Sequence, residues 1–314
     1  MALTWPVVIA VLFGALLHAS WNALVKSSTD KALDTVLIHV VGSVIAVPLV
    51  LWLGWPRAES WPFIAASVTI HIAYYLLLTG AYKNGDLGLT YPLMRGTAPL
   101  LVALASAATL GEHLSLTGWL GVVGVSVGVL VLGLSHALPG VAADDPNGAG
   151  GNTAATAAAA AARLAHIRLR NKAIAFALAN AVIIAIYTVI DAKGARASGN
   201  AVQYVVTLFL LDGWPFAVIV LARRGRSQLP QVYAYARQRW PLALGGAVAS
   251  LGSYGIALWA MTQAPVATVA ALRETSVLFA ALLGVWLLKE RFSLRRLIGT
   301  VVILAGVLAL KLGH

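Results

Sequence analysis

Apolar residues run through this 314-residue chain in ten blocks of about twenty, separated by short polar or basic segments. The blocks fall at residues 4–25, 35–54, 62–82, 88–110, 116–134, 173–190, 201–221, 242–261, 266–288 and 294–312. About twenty apolar residues in a helix cross the roughly 30 Å hydrocarbon core of a bilayer. Lipid offers no partner to an unpaired backbone group, so the pattern predicts spanning helices. Within them the few polar residues line up on single faces. His18, Trp21 and Asn22 share one face of the first helix, and His71, Tyr75, Leu78 and Tyr82 share one of the third, with Tyr74 beside it. Asn180, Ile184, Tyr187, Thr188 and Asp191 form a stripe on the sixth, and Ser250, Ser253, Tyr254 and Ala257 one on the eighth. Such faces point toward protein or a cavity rather than lipid.

The stretch 90–132 recurs at 268–310 without a gap, 178 positions later, with sixteen of 43 pairs identical. Arg95 matches Arg273, Glu112 matches Glu290, Ser115 matches Ser293, and Gly121 and Gly128 match Gly299 and Gly306. Charged and glycine positions make this a duplication rather than shared apolar composition. At an offset of 167 a fainter match pairs Lys26 with Lys193 and Pro48 with Pro215, which implies eleven extra residues in a basic loop at 223–239. The domain reading is a first five-helix repeat at 1–134, a linker at 135–170 rich in Ala, Gly, Asp and Asn, and a second repeat at 171–314. Five spans per repeat is an odd number, so the second repeat enters the membrane upside down. The expected fold is therefore an all-α membrane protein of ten transmembrane helices in two inverted repeats, an architecture of secondary transporters that bind substrate near the midplane.

Composition agrees: 60% of residues are hydrophobic and 11% charged. The net charge of +11 resides in short loops, where Lys and Arg set topology, so nucleic acid is not an expected partner. Loops after the odd-numbered helices hold sixteen Lys and Arg, against four on the other face (Arg57, Lys193, Arg196 and Lys311), which places both termini outside the cytoplasm. The chain has no cysteine, which removes disulfides and thiol chemistry. The first helix is too long for a cleaved signal peptide and reads as a retained span. Gly124-Val-Ser126-Val-Gly128 fits a nucleophile-elbow pattern, but it lies inside a spanning helix, and its Gly-xxx-Gly spacing suits close helix packing instead.

An arginine at the centre of a spanning helix costs about 2.5 to 3.5 kcal/mol on insertion scales, so Arg95 and Arg273 need a reason. One is an anionic or zwitterionic substrate, since a guanidinium suits a carboxylate or phosphate. The other is an ion pair that holds helices together. Inversion puts the two about 6 Å on either side of the midplane. Glu274 falls opposite Gly96 and breaks the symmetry; it can neutralise Arg273, select an amino group or carry a coupling proton. Asp191 and Asp212 are further proton-coupling candidates. Glu112 and Glu290 read as structural, in turns before the N-cap residues Ser115 and Ser293. His18, His39 and His71 show no metal-ligand spacing, and neither metal nor cofactor is expected.

The turns GEHLSL and KERFSL, each followed by a glycine-bearing last helix, and the opening HASWNALVK resemble EamA-type members of the drug/metabolite transporter superfamily over all of the chain except 135–170. The resemblance implies ten helices, with the third, fourth, eighth and ninth lining the cavity and the first and sixth as movable flanks. It implies substrate contacts at Tyr74, Tyr75, Tyr91, Arg95, Ser253, Tyr254, Arg273 and Glu274. The polar face of the first helix adds Trp21 and Asn22. No P-loop occurs, so transport is expected to be secondary, through the plasma membrane, by a monomer or homodimer in the lipid bilayer acting on a small molecule. The alternatives are an intramembrane enzyme, for which no nucleophile and base are paired, and a membrane scaffold, which leaves the buried arginines unexplained.

Overall fold

In the computed structural model the described residues are 3–26, 28–84, 87–134, 153–288 and 294–313. They form eleven α-helices: α1 Trp5–Lys26, α2 Lys31–Leu53, α3 Trp61–Asn84, α4 Leu87–Leu110, α5 Leu116–Leu134, α6 Thr153–Ala197, α7 Ala201–Arg224, α8 Leu229–Gln263, α9 Val266–Arg273, α10 Ser276–Leu288 and α11 Leu294–Leu312. Nine segments among the described residues are long and apolar enough to cross a bilayer, α9 and the start of α10 counting as one. The remaining span, α11, has Arg295, Arg296 and Lys311 near its ends and packs along α5. This is an all-α, multi-pass membrane protein.

The halves are related by inversion, and α5 and α11 show it. They run antiparallel, separated by glycines. A Cβ on Gly121 would sit 2.7 Å from the Leu310 nitrogen, and one on Gly299 would sit 2.8 Å from that of Leu132. Adding 178 to 121 gives 299, and subtracting it from 310 gives 132, so each contact is the image of the other. Gly128 against Ile303 and Gly306 against Val125 repeat the relation at 2.8 and 2.7 Å. Elsewhere α1 packs on α8 as α6 packs on α3, and α2 packs on its own counterpart α7. Both members of that last pair end on a left-handed glycine, Gly54 at φ 80° and Gly225 at φ 77°. A residue with a Cβ enters this region at a cost, and each glycine N–H bonds the carbonyl four residues back.

Three expectations need correction. The ninth predicted span is two helices. Glu274 and Thr275 donate their backbone N–H groups to carbonyls three residues back, and the Thr275 hydroxyl donates to the Leu272 carbonyl at 2.7 Å. No glycine or proline stands at this break, and Thr97, which matches Thr275, lies inside the unbroken α4. By contrast α4 runs through Pro92 and Pro99 unbroken. The basic stretch 223–239 is not a loop: Pro230 starts α8 at Leu229, outside the predicted span, where helix initiation suits proline. The projecting end is held by Tyr235 on Ser28 at 3.1 Å and by Arg239 on Asp34. Likewise the alanine run after the polar linker is already helix from Thr153, because alanine is the strongest helix former. Residues 135–152, Glu290 and Ser293 lie outside the described residues.

Candidate functional site

Four helix faces converge on a buried polar centre. Arg95 of α4 forms an ion pair with Glu274, Nε to Oε2 at 2.8 Å, both side chains nearly fully buried, and donates from Nη2 to Ser276 Oγ at 3.3 Å. The helix break makes this possible, since it puts Glu274 and Ser276 on either side of a tight turn facing α4. Gly96, the position matching Glu274, has no such freedom. A Cβ there would lie 2.6 Å from the Leu130 side chain and 3.1 Å from the Ser126 carbonyl, so contact with α5 demands glycine and leaves no room for a carboxylate. The carboxylate therefore belongs to one repeat and the arginine it neutralises to the other. Glu274 pairs with Arg95, across the repeats, rather than stacking against its neighbour Arg273.

Arg273 lies over the Tyr254 ring, 5.4 Å from its centroid, a geometry in which the ring's negative face attracts the cation. Tyr254 in turn donates its hydroxyl to Asp191 Oδ2, while Tyr204 donates to Oδ1 at 2.8 Å. Beside them an aromatic cluster spans α3, α6 and α7. His71 lies 4.6 Å from the Tyr187 ring, Tyr74 makes edge contacts with Tyr75 and Tyr187, and Tyr75 stacks on Phe216 at 4.3 Å. Asp212 approaches His71 Nδ1 at 3.6 Å. His39 donates from Nδ1 to the Thr35 carbonyl, so its Nε2 accepts the Tyr75 hydroxyl at 2.7 Å.

Of the residues singled out from sequence, Arg95, Glu274, Arg273 and Tyr254 meet at the centre, with Tyr91 packed against Tyr254's cluster and Ser253 buried beside it. Tyr74 and Tyr75 lie in the aromatic group next to Asp212. Trp21 and Asn22 do not join them. Trp21 packs with Ile38, Ala243 and Ala247 between α1, α2 and α8, and Asn22 donates its amide to the His18 carbonyl at 2.7 Å. Sequence reasoning gave no role to His39, Ser67, Tyr204 or Ser276. Of these only His39 is a polar residue conspicuous in an apolar block.

At the end of the molecule that holds both termini, Glu112 joins α4, α6 and α9. Its Oε1 accepts from Arg196 Nη2 at 2.6 Å and its Oε2 from the Val266 N–H at 2.7 Å, while Arg196 Nε donates to the Met261 carbonyl at 2.9 Å. A carboxylate on the N-terminal N–H of α9 also faces the positive end of that helix's dipole. Ser115 caps α5 through the Gly118 N–H as expected. α6 also packs on α9 beside this contact. Glu112→Gln is expected to destabilise by about 1 to 3 kcal/mol. In a double-mutant cycle with Arg196→Gln the second change should cost little more, and additive losses in melting temperature would exclude the contact.

An open groove of about 680 Å³ between α1 and α8, lined by Phe13, Leu17, Leu244, Val248, Gly252 and Ile256, is almost wholly apolar and stands apart from this centre.

The description "EamA-like transporter family" matches residues 5–134 and 171–312. The chain belongs to the EamA-like transporter family. This transporter is also similar in fold to a solved structure described only as a crystal structure of a protein, with a TM-score of 0.70 and 19% identity over 98% of each chain. No curated protein matches it. Members of this family are membrane transporters, not enzymes.

Proposed function

We propose that this transporter moves a small anionic or zwitterionic metabolite, amino-acid-like or an organic acid, across the plasma membrane by alternating access. The single observation that supports the substrate class is the charge at the centre: two arginines face one glutamate, and Glu274 is already committed to Arg95. Arg273 has an aromatic backing and a guanidinium left to meet an anion. Tyr91, Ser253 and Tyr254 complete the polar wall on that side, and Tyr74 and Tyr75 offer ring faces to a cationic group near Asp212. Trp21 and Asn22 stay outside this pocket and act, on this reading, in the movement of α1. Glu274, Asp191 and Asp212 are the carboxylates through which a proton could couple to transport.

The reading is supported further by the Glu112 contacts, which tie α4, α6 and α9 together on the face holding the termini. Alternating access requires such contacts to open and close in turn.

Thermal stabilisation of the purified protein by a panel of carboxylates, amino acids and phosphonates, followed by counterflow in liposomes, tests this. Hits should carry an anionic group, and Arg273→Gln should remove their stabilisation. Hits confined to cations, or an Arg273→Gln protein that still binds and exchanges anions, would sink the proposal.

A further inference from the structure

Asp191 sits at the meeting point of two different kinds of tyrosine. Both carboxylate oxygens accept phenol hydrogens, Oδ1 from Tyr204 and Oδ2 from Tyr254. An acceptor of two hydroxyl hydrogens is arranged as an ionised carboxylate. If a proton binds at Oδ2, that oxygen carries its own hydrogen, and the phenol facing it must turn from donor to acceptor or withdraw. Tyr204 is not free to do so. It is fully buried, and its ring fills the space left by Gly194, where a Cβ would lie 2.3 to 2.6 Å from the ring and hydroxyl. Tyr254 is only partly buried, and its ring is the one that carries Arg273.

We propose that Asp191 is a proton-binding site whose occupancy is passed to Arg273 through Tyr254. This rests on the reading of Arg273 as a substrate contact. A proton on Asp191 displaces the Tyr254 hydroxyl, the ring moves, and the guanidinium lying on it moves with it. Proton and substrate are thus linked without touching. Asp191 itself is wholly buried, but a polar path reaches it. Ser67 stands beside Asp191, and its hydroxyl lies 3.3 Å from His71 Nδ1, which stands 3.6 Å from the partly exposed Asp212. Since His71 Nδ1 also donates to the Ser67 carbonyl at 3.0 Å, the Ser67 hydrogen is free for Asp191.

The other charged and titratable groups around this stripe of α6 are accounted for. From α3 come His71, Tyr74 and Tyr75, the last bonded to His39 of α2, from α7 Tyr204 and Asp212, from α8 Tyr254, and from α1 His18, which faces Arg273 and Arg95. Behind Tyr187, α4 supplies Tyr91 and Arg95, and α9 supplies Arg273, with Glu274 at its end held by Arg95. The short turn before α3 brings Arg57 only to Gly199, beyond the end of α6.

The cysteine-free chain permits a direct test without a substrate. Spin labels on cysteines replacing the exposed His113 and Gln263 report the distance between the α4–α5 turn and the end of α8. Infrared spectroscopy of the same purified protein reports protonated carboxyl groups. Between about pH 8 and about pH 5 the distance distribution should shift in the parent protein, and a carboxylic band should titrate. Asp191→Asn should lose both the shift and one titrating band. Tyr254→Phe, which keeps the ring under Arg273 and removes only the hydroxyl, should keep the band and lose the distance shift. Tyr204→Phe should retain the shift with a displaced midpoint, a result that loss of packing alone would not give. A Tyr254→Phe protein that responds to pH like its parent, or an Asp191→Asn protein with the full titrating band, overturns the proposal. Failure of counterflow with an intact pH response would remove the transport reading instead, so the two stand or fall separately.

Discussion

Gly306→Leu is expected to leave no folded, monodisperse protein, and Gly128→Leu to do the same. At each position the first added carbon would already lie less than 3 Å from a backbone nitrogen of the facing helix, Val125 for Gly306 and Ile303 for Gly128. Backbone atoms cannot rotate away as a side-chain end can, so α5 and α11 must separate along their length. Overpacking in cores costs about 1 to 3 kcal/mol even where neighbours can adjust; here they cannot. In lipid the helices also lose the close van der Waals contact that replaces a hydrophobic driving force. Gly245→Ala is the control. Nothing lies within 4 Å of its added carbon, and alanine is the better helix former, so melting temperature should hold or rise. Size-exclusion profiles and melting temperatures of the three proteins check this. A monodisperse Gly306→Leu protein as stable as its parent would mean that α5 and α11 are not in glycine contact.

Glu274→Gln should be the costliest change at the centre, losing about 3 to 5 kcal/mol, because it leaves the Arg95 charge buried without a counter-ion. The Ser276 hydroxyl alone is a weak replacement. Replacing both partners, Arg95→Met with Glu274→Met, removes the charge together with its need for a partner and should recover most of the lost stability. The double variant separates two roles. If the pair serves only to hold α4 against the α9–α10 turn, the recovered protein should still be stabilised by the metabolites that stabilise the parent. If it shapes the anion site, stability returns and ligand stabilisation does not. Melting temperatures of the parent, Glu274→Gln, Arg95→Met and the double variant, with and without a metabolite found by the panel, give the answer. A single Glu274→Gln change without measurable cost would contradict the ion pair.

Much of the architecture is written in local terms that a sequence carries. Apolar block length, the 178-residue offset and the odd number of spans per repeat each depend on the order of residues alone. Close packing at Gly124 and Gly128 is legible too, because a helix seam of small residues has a fixed spacing, and the repeat carries Gly128 over to Gly306. What could not be read depends on partners chosen in three dimensions. Arg95 takes its carboxylate from the other repeat because Leu130 crowds Gly96, a fact about α4 against α5 that no spacing encodes. The break after Arg273 escapes pattern rules too: Thr275 is matched by Thr97, which sits in the unbroken α4, so no residue type marks it. Trp21 belongs to a polar face on the helical wheel, yet it packs on the Ile38 cluster, while His18 of the same face turns toward the central arginines. His71 shares a helix face with tyrosines in the sequence itself, but only folding brings His39 to Tyr75 and Asp212 to His71.

The glycine contacts of α5 and α11 map onto themselves when the repeats trade places. Under the alternating access proposed above, such a self-matched pair keeps its contacts in both states, as the pin of a door hinge does, and α2 with α7 shares the property. A residue at one of these contacts is then constrained twice, once for each state, whereas the pairing of Glu274 with Arg95 has no image in the other repeat, since Gly96 stands at the matching position.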